Sequence, residues 1–339
     1  MRGERRAARR VRPAPFPNAM PQTARQAFFL VGCTASGKTA VANELARRTG
    51  ALVLSADSML VYRGMDVGTA KPTPQECAGV DLRGTDLADP DEPFSAGAWL
   101  RAARDAFDEA GRDARPVIVA GGTGLYVAAL LRGLDAPPAD PALRAALLAE
   151  LDASGPAALI ARAEALRPGS TAAIDTRNPR RLVRLVEVLE HAQGAEGDAH
   201  AEFAQEAEGM EPILAGLDFS SEALAARIER RARAMFGGGL LEEAAALRAR
   251  HPGLSGSTAG AGIGYAEAFA VLDGALTVDE AVARTALRTR RLAKRQRTWW
   301  RHQARVEWIP GPADETDVAR AADDVQRLWN THGPAAFSL

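Results

Sequence analysis

Residues 32 to 39 carry the most specific chemical pattern in the sequence, GxxxxGK[ST]. In such a loop the glycines let backbone N–H groups turn towards phosphate oxygens, the lysine neutralises those oxygens, and the threonine hydroxyl can ligate Mg²⁺. The pattern therefore predicts a loop that holds a di- or triphosphate, with Thr39 as the metal ligand. The residues assigned to phosphate binding are Gly32, Thr34, Ala35, Ser36, Gly37, Lys38 and Thr39. The loop alone does not say whether a terminal phosphoryl group is transferred or a whole diphosphate is released.

Two further polar residues follow apolar runs that are typical of buried strands. Asp57 ends the run ALVLSAD, and Thr123 follows the run VIVAGG. A carboxylate at a strand end can accept a proton from an incoming nucleophile, but it can equally cap a helix or ligate Mg²⁺. Lys71, one of only three lysines in the chain, is a candidate phosphate contact or a surface residue.

The segment from 284 to 305 combines nine arginine and lysine residues with no acid. As a helix it would carry two adjacent stripes of cations. These are Arg284, Arg288, Arg291 and Arg295 in one stripe, and Arg290, Lys294, Arg297 and Arg301 in the other. One helix this basic, in a chain whose net charge is −1, predicts binding to nucleic-acid phosphates. The alternative is a solvated helix face, although the usual interspersed glutamates are missing.

Strand-like and helix-like runs alternate in the first 138 residues and again from about residue 211. This alternation predicts an α/β protein with a P-loop-type parallel sheet flanked by helices. Ligands of such sheets lie beyond the carboxyl ends of the strands. The phosphate loop, Asp57 and Thr123 should therefore share one edge, with Asp57 one strand from the loop. Between 139 and 210 only helical patterns are convincing, which indicates a helical insertion domain.

Composition defines the remaining boundaries and the setting of the protein. Residues 1–25 hold seven arginines and four prolines, so they are expected to be a disordered basic tail. The predicted P-loop core comprises 26–138 and 211–312, the insertion 139–210, and a C-terminal tail 313–339. Two cysteines without a metal-binding spacing, and no apolar run near the ~18 residues of a membrane span, favour a cytoplasmic protein with no membrane partner. Organellar targeting by the basic tail is left open.

Several motifs occur in an order that resembles the tRNA dimethylallyltransferases, also called tRNA isopentenyltransferases. They are GCTASGKT, SADSMLVYRGMDVGTAKP, GGTGLY, NPRRLVRLVEVLE, GLDFSSEALAARIERR, GIGYAEAF and RRLAKRQRTWWR, within about Phe28 to Ile309. The resemblance implies transfer of a dimethylallyl group from its diphosphate to the exocyclic amine of the adenosine 3′ of the anticodon, with Mg²⁺ and without ATP hydrolysis. On this basis the loop holds a leaving diphosphate.

The same resemblance assigns roles to individual residues. Asp57 would accept the amine proton, Thr123 would hydrogen-bond near the target base, and Lys38 and Arg227 would stabilise the departing diphosphate. The implied tRNA contacts are Asp57, Ser58, Met59, Leu60, Arg144, Arg180, Arg181, Arg184, Gly262, Tyr265, Lys294, Arg295 and Arg301. The implied partners are the tRNA anticodon stem-loop and dimethylallyl diphosphate, and the family expectation is a monomer.

Position 60 departs from the family pattern, because Leu60 stands where glutamine is common and removes an amide that could read the adenine edge. Three other functions compete with the one implied. A P-loop small-molecule kinase that uses ATP would leave the basic helix unexplained. A prenyltransferase acting on free adenine nucleotides needs neither that helix nor the insertion. An RNA-binding protein with a degenerate active site would not need Lys38, Thr39, Asp57 and Thr123 intact.

Overall fold

The computed structural model describes residues 25–133, 140–192 and 212–337. The chain divides into two compact units, Met1–Arg132 with Gly209–Leu339 and Gly133–Glu208. The expected basic tail lies outside the described residues, except that Arg25 begins the first strand.

The larger unit is built on one sheet of seven strands. They are β1 (Arg25–Gly32), β2 (Leu52–Ala56), β3 (Asp81–Arg83), β4 (Val117–Gly121), β5 (Leu214–Asp218), β6 (Val306–Pro310) and β7 (Ala335–Phe337). Six strands run parallel in the order β3-β2-β4-β1-β5-β6, and β7 pairs antiparallel with the start of β1. The parallel sheet with helical connections confirms the predicted α/β fold.

Eleven α-helices occur in the described parts of the chain. They are α1 (Lys38–Thr49), α2 (Ala96–Arg112), α3 (Gly124–Arg132), α4 (Pro141–Ser154), α5 (Pro156–Leu166), α6 (Pro179–Ala192), α7 (Ser221–Gly237), α8 (Leu240–Arg250), α9 (Tyr265–Leu272), α10 (Val278–Gln303) and α11 (Val318–His332). Polar side chains cap several of them: Ser95 accepts the Ala98 N–H before α2, and Thr277 and Glu280 form a capping box before α10.

The strands that carry the candidate site are buried on both faces, which explains their near-continuous apolar sequences. On one face α1 and α11 pack over the sheet in a single buried cluster. β1, β2 and β4 end at Gly32, Ala56 and Gly121, which neighbour one another in the sheet register. The predicted common edge is thus confirmed. β4 lies between β1 and β2, however, so Asp57 is two strands from the phosphate loop, or about 10 Å at the usual strand spacing.

The segment after residue 312 differs from its predicted role as a tail. It forms α11 and β7, and α11 buries Ala321, Val325 and Trp329 within the main core. The Trp329 ring lies 4.9 Å from that of Phe28 in β1. The many charged residues of this segment occupy the other face of an amphipathic helix, which is why its composition suggested a tail.

The smaller unit contains only helical elements among its described residues. α4, α5 and α6 bury a core of their own, which includes Leu147, Leu159, Leu182 and Val186. Glu187 is fully buried beside this core. A buried carboxylate requires ion-pair or hydrogen-bond partners. The partners of Glu187 are Arg144 and Arg184, both of which were predicted to bind tRNA.

Candidate active site and nucleic-acid interface

The phosphate loop turns sharply because Gly32, Ala35 and Gly37 adopt positive φ angles of 146°, 64° and 79°. A Cβ atom at Gly32 would lie 2.8 Å from the carbonyl oxygen of Leu217 in β5, so only glycine fits there. α1 begins at Lys38, directly after the loop, and its first N–H groups have no partner within the helix. The loop and this helix start therefore have the geometry of an anion-binding site.

The Lys38 ammonium lies against the loop that it follows. Its Nζ donates to the carbonyl oxygen of Cys33 at 2.6 Å and lies 3.5 Å from Ser36 Oγ. Burial lowers the pKa of Lys38 to about 8, and the negative charge of Asp57 partly opposes this shift. A bound diphosphate would supply further negative charge and favour the protonated amine.

The phosphate loop and Asp57 open onto the same cavity, which has a volume of about 1280 Å³. Its walls include Thr34, Ala35, Ser36, Gly37, Lys38 and Thr39, together with Asp57, Leu60, Arg227 and Arg231. Leu60 is buried and presents an apolar side chain to this space. A cavity of this size accommodates a ligand much larger than a diphosphate alone. The cavity thus brings together the phosphate loop, the segment after β2 and α7.

Asp57 and Thr123 are joined through the backbone that follows β2. Asp57 Oδ1 accepts the Met59 N–H at 2.9 Å, which fixes a turn at the cavity wall. Thr123 Oγ1 accepts the Ser58 N–H at 3.0 Å, and the Thr123 N–H donates to the Ala56 carbonyl at 3.1 Å. Thr123 does not itself line the cavity. Its observed contacts position the Asp57 turn.

Arg227 holds the rim of the phosphate loop by backbone carbonyls. Its Nε donates to the Ala35 oxygen at 2.9 Å, and its Nη1 donates to the oxygens of Pro312 and Ala313, both at 3.0 Å. The guanidinium also lies 4.7 Å from the centre of the Phe219 ring. Burial lowers the pKa of Arg227. Because carbonyls carry no net charge, the cation remains available to an anion in the cavity.

Arg231 is a cavity residue that the sequence analysis missed. It lies one helical turn after Arg227 on α7, and its Nη2 donates to the Thr69 carbonyl at 2.7 Å. Burial lowers the pKa of Arg231, while the Asp57 charge opposes that shift. The i, i+4 spacing from Arg227 within ARIERR was the available signal, since both residues then share one helix face.

Lys71 is neither a phosphate contact nor a surface residue. Its side chain is 8% exposed and forms ion pairs with Asp66 and Asp86, each at 2.6 Å. Its Nζ also donates to the Tyr62 carbonyl at 2.9 Å. Lys71 therefore cross-links three parts of the segment between β2 and β4, and its role is structural.

Tyr265 was assigned to tRNA contact, and the structure contradicts this. The side chain is fully buried, and its hydroxyl donates to Glu243 at 2.5 Å. Burial raises the pKa of Tyr265, so the group stays a neutral donor. Glu243, which the sequence analysis missed, also accepts the N–H groups of Asp66, Val67 and Gly68. Tyr265 and Glu243 thus position the segment after Asp57. The Tyr265 side chain does not reach the surface.

Gly262 lies beside Met59, another predicted tRNA contact. A Cβ atom on Gly262 would be 2.6 Å from Met59 Cε, so the two assigned residues meet at one place. Arg288 of α10 fastens this turn, since its guanidinium donates to Glu267 at 2.6 Å and to the Ala261 carbonyl at 3.0 Å. The structure therefore brings the Gly262 turn to the segment after Asp57.

The basic stripes on α10 contain two kinds of residue. Arg288 and Arg297 are committed to intramolecular pairs, the latter with Asp218 at 2.7 Å. The other six stripe residues are exposed, namely Arg284, Arg290, Arg291, Lys294, Arg295 and Arg301. Trp300 is buried, and Trp299 packs on the backbone of Gly124. The exposed cations form a surface suited to phosphates, although two predicted members serve the fold instead.

The predicted tRNA-binding arginines of the smaller unit also divide into two groups. Arg144 and Arg184 both pair with the buried Glu187, at 2.5 and 2.9 Å. These two arginines hold the pKa of Glu187 below its usual range against the effect of burial. Arg180 and Arg181 are exposed at the start of α6. A structural role for Arg184 was not foreseen, because its partner lies on the apolar face of α6.

The fit of the loop to Mg²⁺ rests on Thr39, which is exposed at the cavity. The described residues contain no cluster of three or more His, Cys, Asp or Glu side chains that could hold a metal by themselves. Mg²⁺ commonly combines one or two protein oxygens with substrate phosphates and waters, so a hydroxyl beside a phosphate loop fits its chemistry. In the part of the chain that the structure describes, no helix is long and apolar enough to cross a membrane.

A glycine-rich loop lies at the carboxyl edge of the parallel strands and opens onto a cavity lined by arginines and a carboxylate. These features define a phosphate-loop-type α/β protein. Comparison with known proteins narrows this class. The family described as "IPP transferase" matches residues 60–303, and that described as "Isopentenyl transferase" matches residues 25–83.

Individual relatives agree with these matches. The chain is 45% identical over 298 residues to a tRNA dimethylallyltransferase of Anaeromyxobacter dehalogenans (strain 2CP-C), which covers 87% of this chain and 98% of the relative. The solved tRNA isopentenylpyrophosphate transferase of Bacillus halodurans is 32% identical with a TM-score of 0.60, over 90% of this chain and 99% of that one. A eukaryotic dimethylallyltransferase acting on tRNA, 20% identical with a TM-score of 0.69, supports the fold alone. The chain belongs to the tRNA dimethylallyltransferase family.

Proposed function

We propose that this protein transfers a dimethylallyl group from dimethylallyl diphosphate to the exocyclic amine of the adenosine 3′ of the anticodon in tRNA, and that it releases diphosphate. The observation that carries the proposal is the single cavity shared by the phosphate loop and the Asp57 turn. Both reaction partners need to reach one space, because the allylic carbon must meet the amine as its bond to the diphosphate breaks.

The phosphate loop stabilises the leaving group in this reaction. Negative charge grows on the diphosphate as the allylic C–O bond stretches, and the α1 N-terminus and the cations of Lys38, Arg227 and Arg231 lie around that charge. Mg²⁺, when bound by the Thr39 hydroxyl and the phosphates, would neutralise part of it. These groups are fixed before the substrate arrives, so little reorganisation is required during the reaction.

Asp57 is the general base of the proposal. It stands at the cavity wall on a turn that Thr123 and Met59 hold by hydrogen bonds. The proton of the attacking amine passes to the Asp57 carboxylate as the new C–N bond forms. Thr123 contributes by positioning this turn, in addition to any contact with the base. Leu60 offers the extruded adenine an apolar contact in place of an amide.

RNA binding is assigned to the exposed cations. Lys294, Arg295 and Arg301 on α10 would contact tRNA phosphates, as would Arg180 and Arg181 on α6. Arg144 is partly exposed and keeps a donor face despite its pair with Glu187. A cytoplasmic, monomeric protein with the anticodon stem-loop as its partner completes the proposal.

The deciding experiment supplies the purified protein with labelled dimethylallyl diphosphate, Mg²⁺ and either tRNA or AMP. We expect label in tRNA that carries adenosine 3′ of the anticodon, and none in tRNA with guanosine at that position. Label in AMP alone would indicate a prenyltransferase acting on free nucleotides. Transfer of phosphate from ATP to a small molecule, without any label in tRNA, would indicate a kinase. Either of these results would overturn the proposal.

A further inference from the structure

The peptide between Cys33 and Thr34, at the start of the phosphate loop, is held from both sides. Its carbonyl oxygen accepts from Lys38 Nζ at 2.6 Å, and its N–H donates to Gln296 Oε1 at 2.8 Å. Gln296 belongs to α10, 262 residues further along the chain. The orientation of this peptide therefore depends on a side chain from the basic helix.

Gln296 also reaches the neighbouring strand end. Its Nε2 donates to the Gly122 carbonyl at 3.0 Å. A Cβ atom at Gly122 would lie 2.5 Å from Nε2, so this glycine leaves the room in which the amide sits. Gln296 thus bridges the loop after β1 and the loop after β4, the second of which carries Thr123.

The rest of α10 keeps Gln296 in place. One turn earlier, the Ala293 carbonyl accepts from Cys33 Sγ at 3.2 Å. One residue later, Arg297 pairs with Asp218 at the end of β5 and donates to the Phe219 carbonyl at 2.6 Å. The helix is therefore anchored to the ends of three adjacent strands. Its exposed cations, Lys294 and Arg295, immediately precede Gln296 in sequence.

We propose that Gln296 is a positioning residue for the leaving diphosphate, although it lies in the segment whose neighbours face RNA. Its amide oxygen and amide nitrogen fix the Cys33–Thr34 peptide and the Gly122 loop in one arrangement, with the Lys38 ammonium bound to the other side of that peptide. The Gln296 carboxamide supplies an acceptor for one loop and a donor for the other from a single side chain. The inference rests on the proposed function for the identity of the diphosphate ester, but the binding of diphosphate itself can be tested separately.

The proposal predicts an effect on one substrate and not on the other. Gln296→Met keeps the size of the side chain and removes both hydrogen bonds, so we expect inorganic pyrophosphate with Mg²⁺ to bind about 10-fold more weakly by calorimetry. In steady-state assays KM for dimethylallyl diphosphate should rise by a similar factor, while KM for tRNA stays within about twofold. Gln296→Glu retains the acceptor for Thr34 but loses the donor for Gly122 and adds negative charge near the anion, so it should weaken pyrophosphate binding at least as much as Gln296→Met does.

Two control variants lie on the same helix. Thr298→Ala changes an exposed residue and should leave both KM values unchanged. Lys294→Ala should show the reverse pattern, with a raised KM for tRNA and an unchanged affinity for pyrophosphate. Thermal unfolding confirms that each variant is folded. If Gln296→Met does not fold, Gly122→Ala provides a second route, because its Cβ displaces the Gln296 amide and should weaken pyrophosphate binding in the same way.

The outcomes separate this inference from the proposed function. Wild-type affinity for pyrophosphate in the folded Gln296→Met and Gly122→Ala variants would overturn the role of Gln296. A raised KM for tRNA with unchanged pyrophosphate binding would also overturn it and would make Gln296 an RNA contact. If the wild-type protein binds pyrophosphate but never labels tRNA, the proposed function fails, and the binding experiment still decides the role of Gln296.

Discussion

Asp57 lines the cavity, and one of its carboxylate oxygens accepts a hydrogen bond from the Met59 N–H at 2.9 Å. The substitution that isolates its chemical role must therefore keep this acceptor. Asparagine does so, because its carbonyl oxygen can take the place of Oδ1, yet its amide cannot accept a proton from the nucleophile. Alanine would remove the turn and the base together.

Asp57→Asn should lower kcat by about 10²- to 10⁴-fold, the usual contribution of a general base. The dissociation constant for tRNA should change little, because the turn is retained. Both quantities are measurable with single-turnover prenylation and filter binding. Asp105→Asn, which alters an exposed carboxylate on α2, is the matched control and should behave like the wild type. Equal losses of tRNA binding and turnover in Asp57→Asn would argue against a base.

Lys38 makes pyrophosphate binding depend on pH. The pKa of its buried ammonium is lowered to about 8 in the ligand-free protein. Below this pH the amine is charged and attracts the anion, and above it the charge is lost. We therefore expect the affinity for pyrophosphate to fall as the pH rises through about 8. Titration calorimetry at several pH values checks this, with Lys38→Met as the reference for the ionisation of pyrophosphate itself. The same fall in Lys38→Met would exclude Lys38 as its cause.

The helix α10 carries arginines that hold the fold together and arginines that belong to the proposed RNA-binding surface. Arg288 and Arg297 join α10 to the Gly262 turn and to the end of β5. Lys294 and Arg295 are exposed and have no such ion pair among the described residues, whereas the exposed Arg301 lies 4.0 Å from Asp218. Charge pattern alone cannot separate these groups, because the acids that pair with the first group lie elsewhere in the sequence.

Arg295→Ala should weaken tRNA binding and reduce the slope of log affinity against log salt by about 1, as expected when one phosphate contact is lost. Its melting temperature should stay close to that of the wild type. Arg297→Ala provides the contrast, since it removes the 2.7 Å ion pair with Asp218, leaves only the 4.0 Å contact from Arg301, and should lower the melting temperature. Binding at a series of salt concentrations and thermal unfolding distinguish the two variants. Identical effects on the salt slope would contradict the division of α10.

Local patterns predicted the elements of this protein better than the contacts between them. The phosphate loop and the α10 helix are contiguous in sequence, so their spacing was sufficient to find them. Gln296 and Glu243 bind backbone groups that are far away in the chain, and no spacing rule predicts such partners. Tyr265 shows the opposite error, because a motif residue can be required for the fold of a site without facing the ligand.

In the larger unit α11 covers the sheet beside α1 and contributes to its main core. Trp329 is buried in the main core, and no acceptor for its indole N–H occurs among the described residues. An unpaired buried donor is unfavourable, so the ring contributes through packing alone. The segment after residue 312 therefore packs in the same hydrophobic core as β1 and α1, the two elements that flank the phosphate loop.

Trp329→Ala should destabilise the protein by about 3–5 kcal/mol, as large-to-small changes of buried aromatic residues do. This corresponds to a melting temperature lower by on the order of 10 °C. Trp329→Phe keeps most of the packing and removes the unpaired N–H, so it should cost far less. Chemical denaturation of both variants measures the difference. Equal destabilisation by the two changes would contradict a packing role.

The three lysines occupy very different surroundings, and reagents that acylate amines should distinguish them. Because desolvation lowers the pKa of the partly buried Lys38 to about 8, its amine should be more nucleophilic near that pH than an ordinary lysine amine. Its acylation should be blocked by pyrophosphate, whereas Lys71 is shielded by two carboxylates at 2.6 Å and Lys294 is open to solvent. Mass spectrometry of the acylated peptides would then report occupancy of the phosphate loop and coverage of the basic helix in one sample, without any turnover.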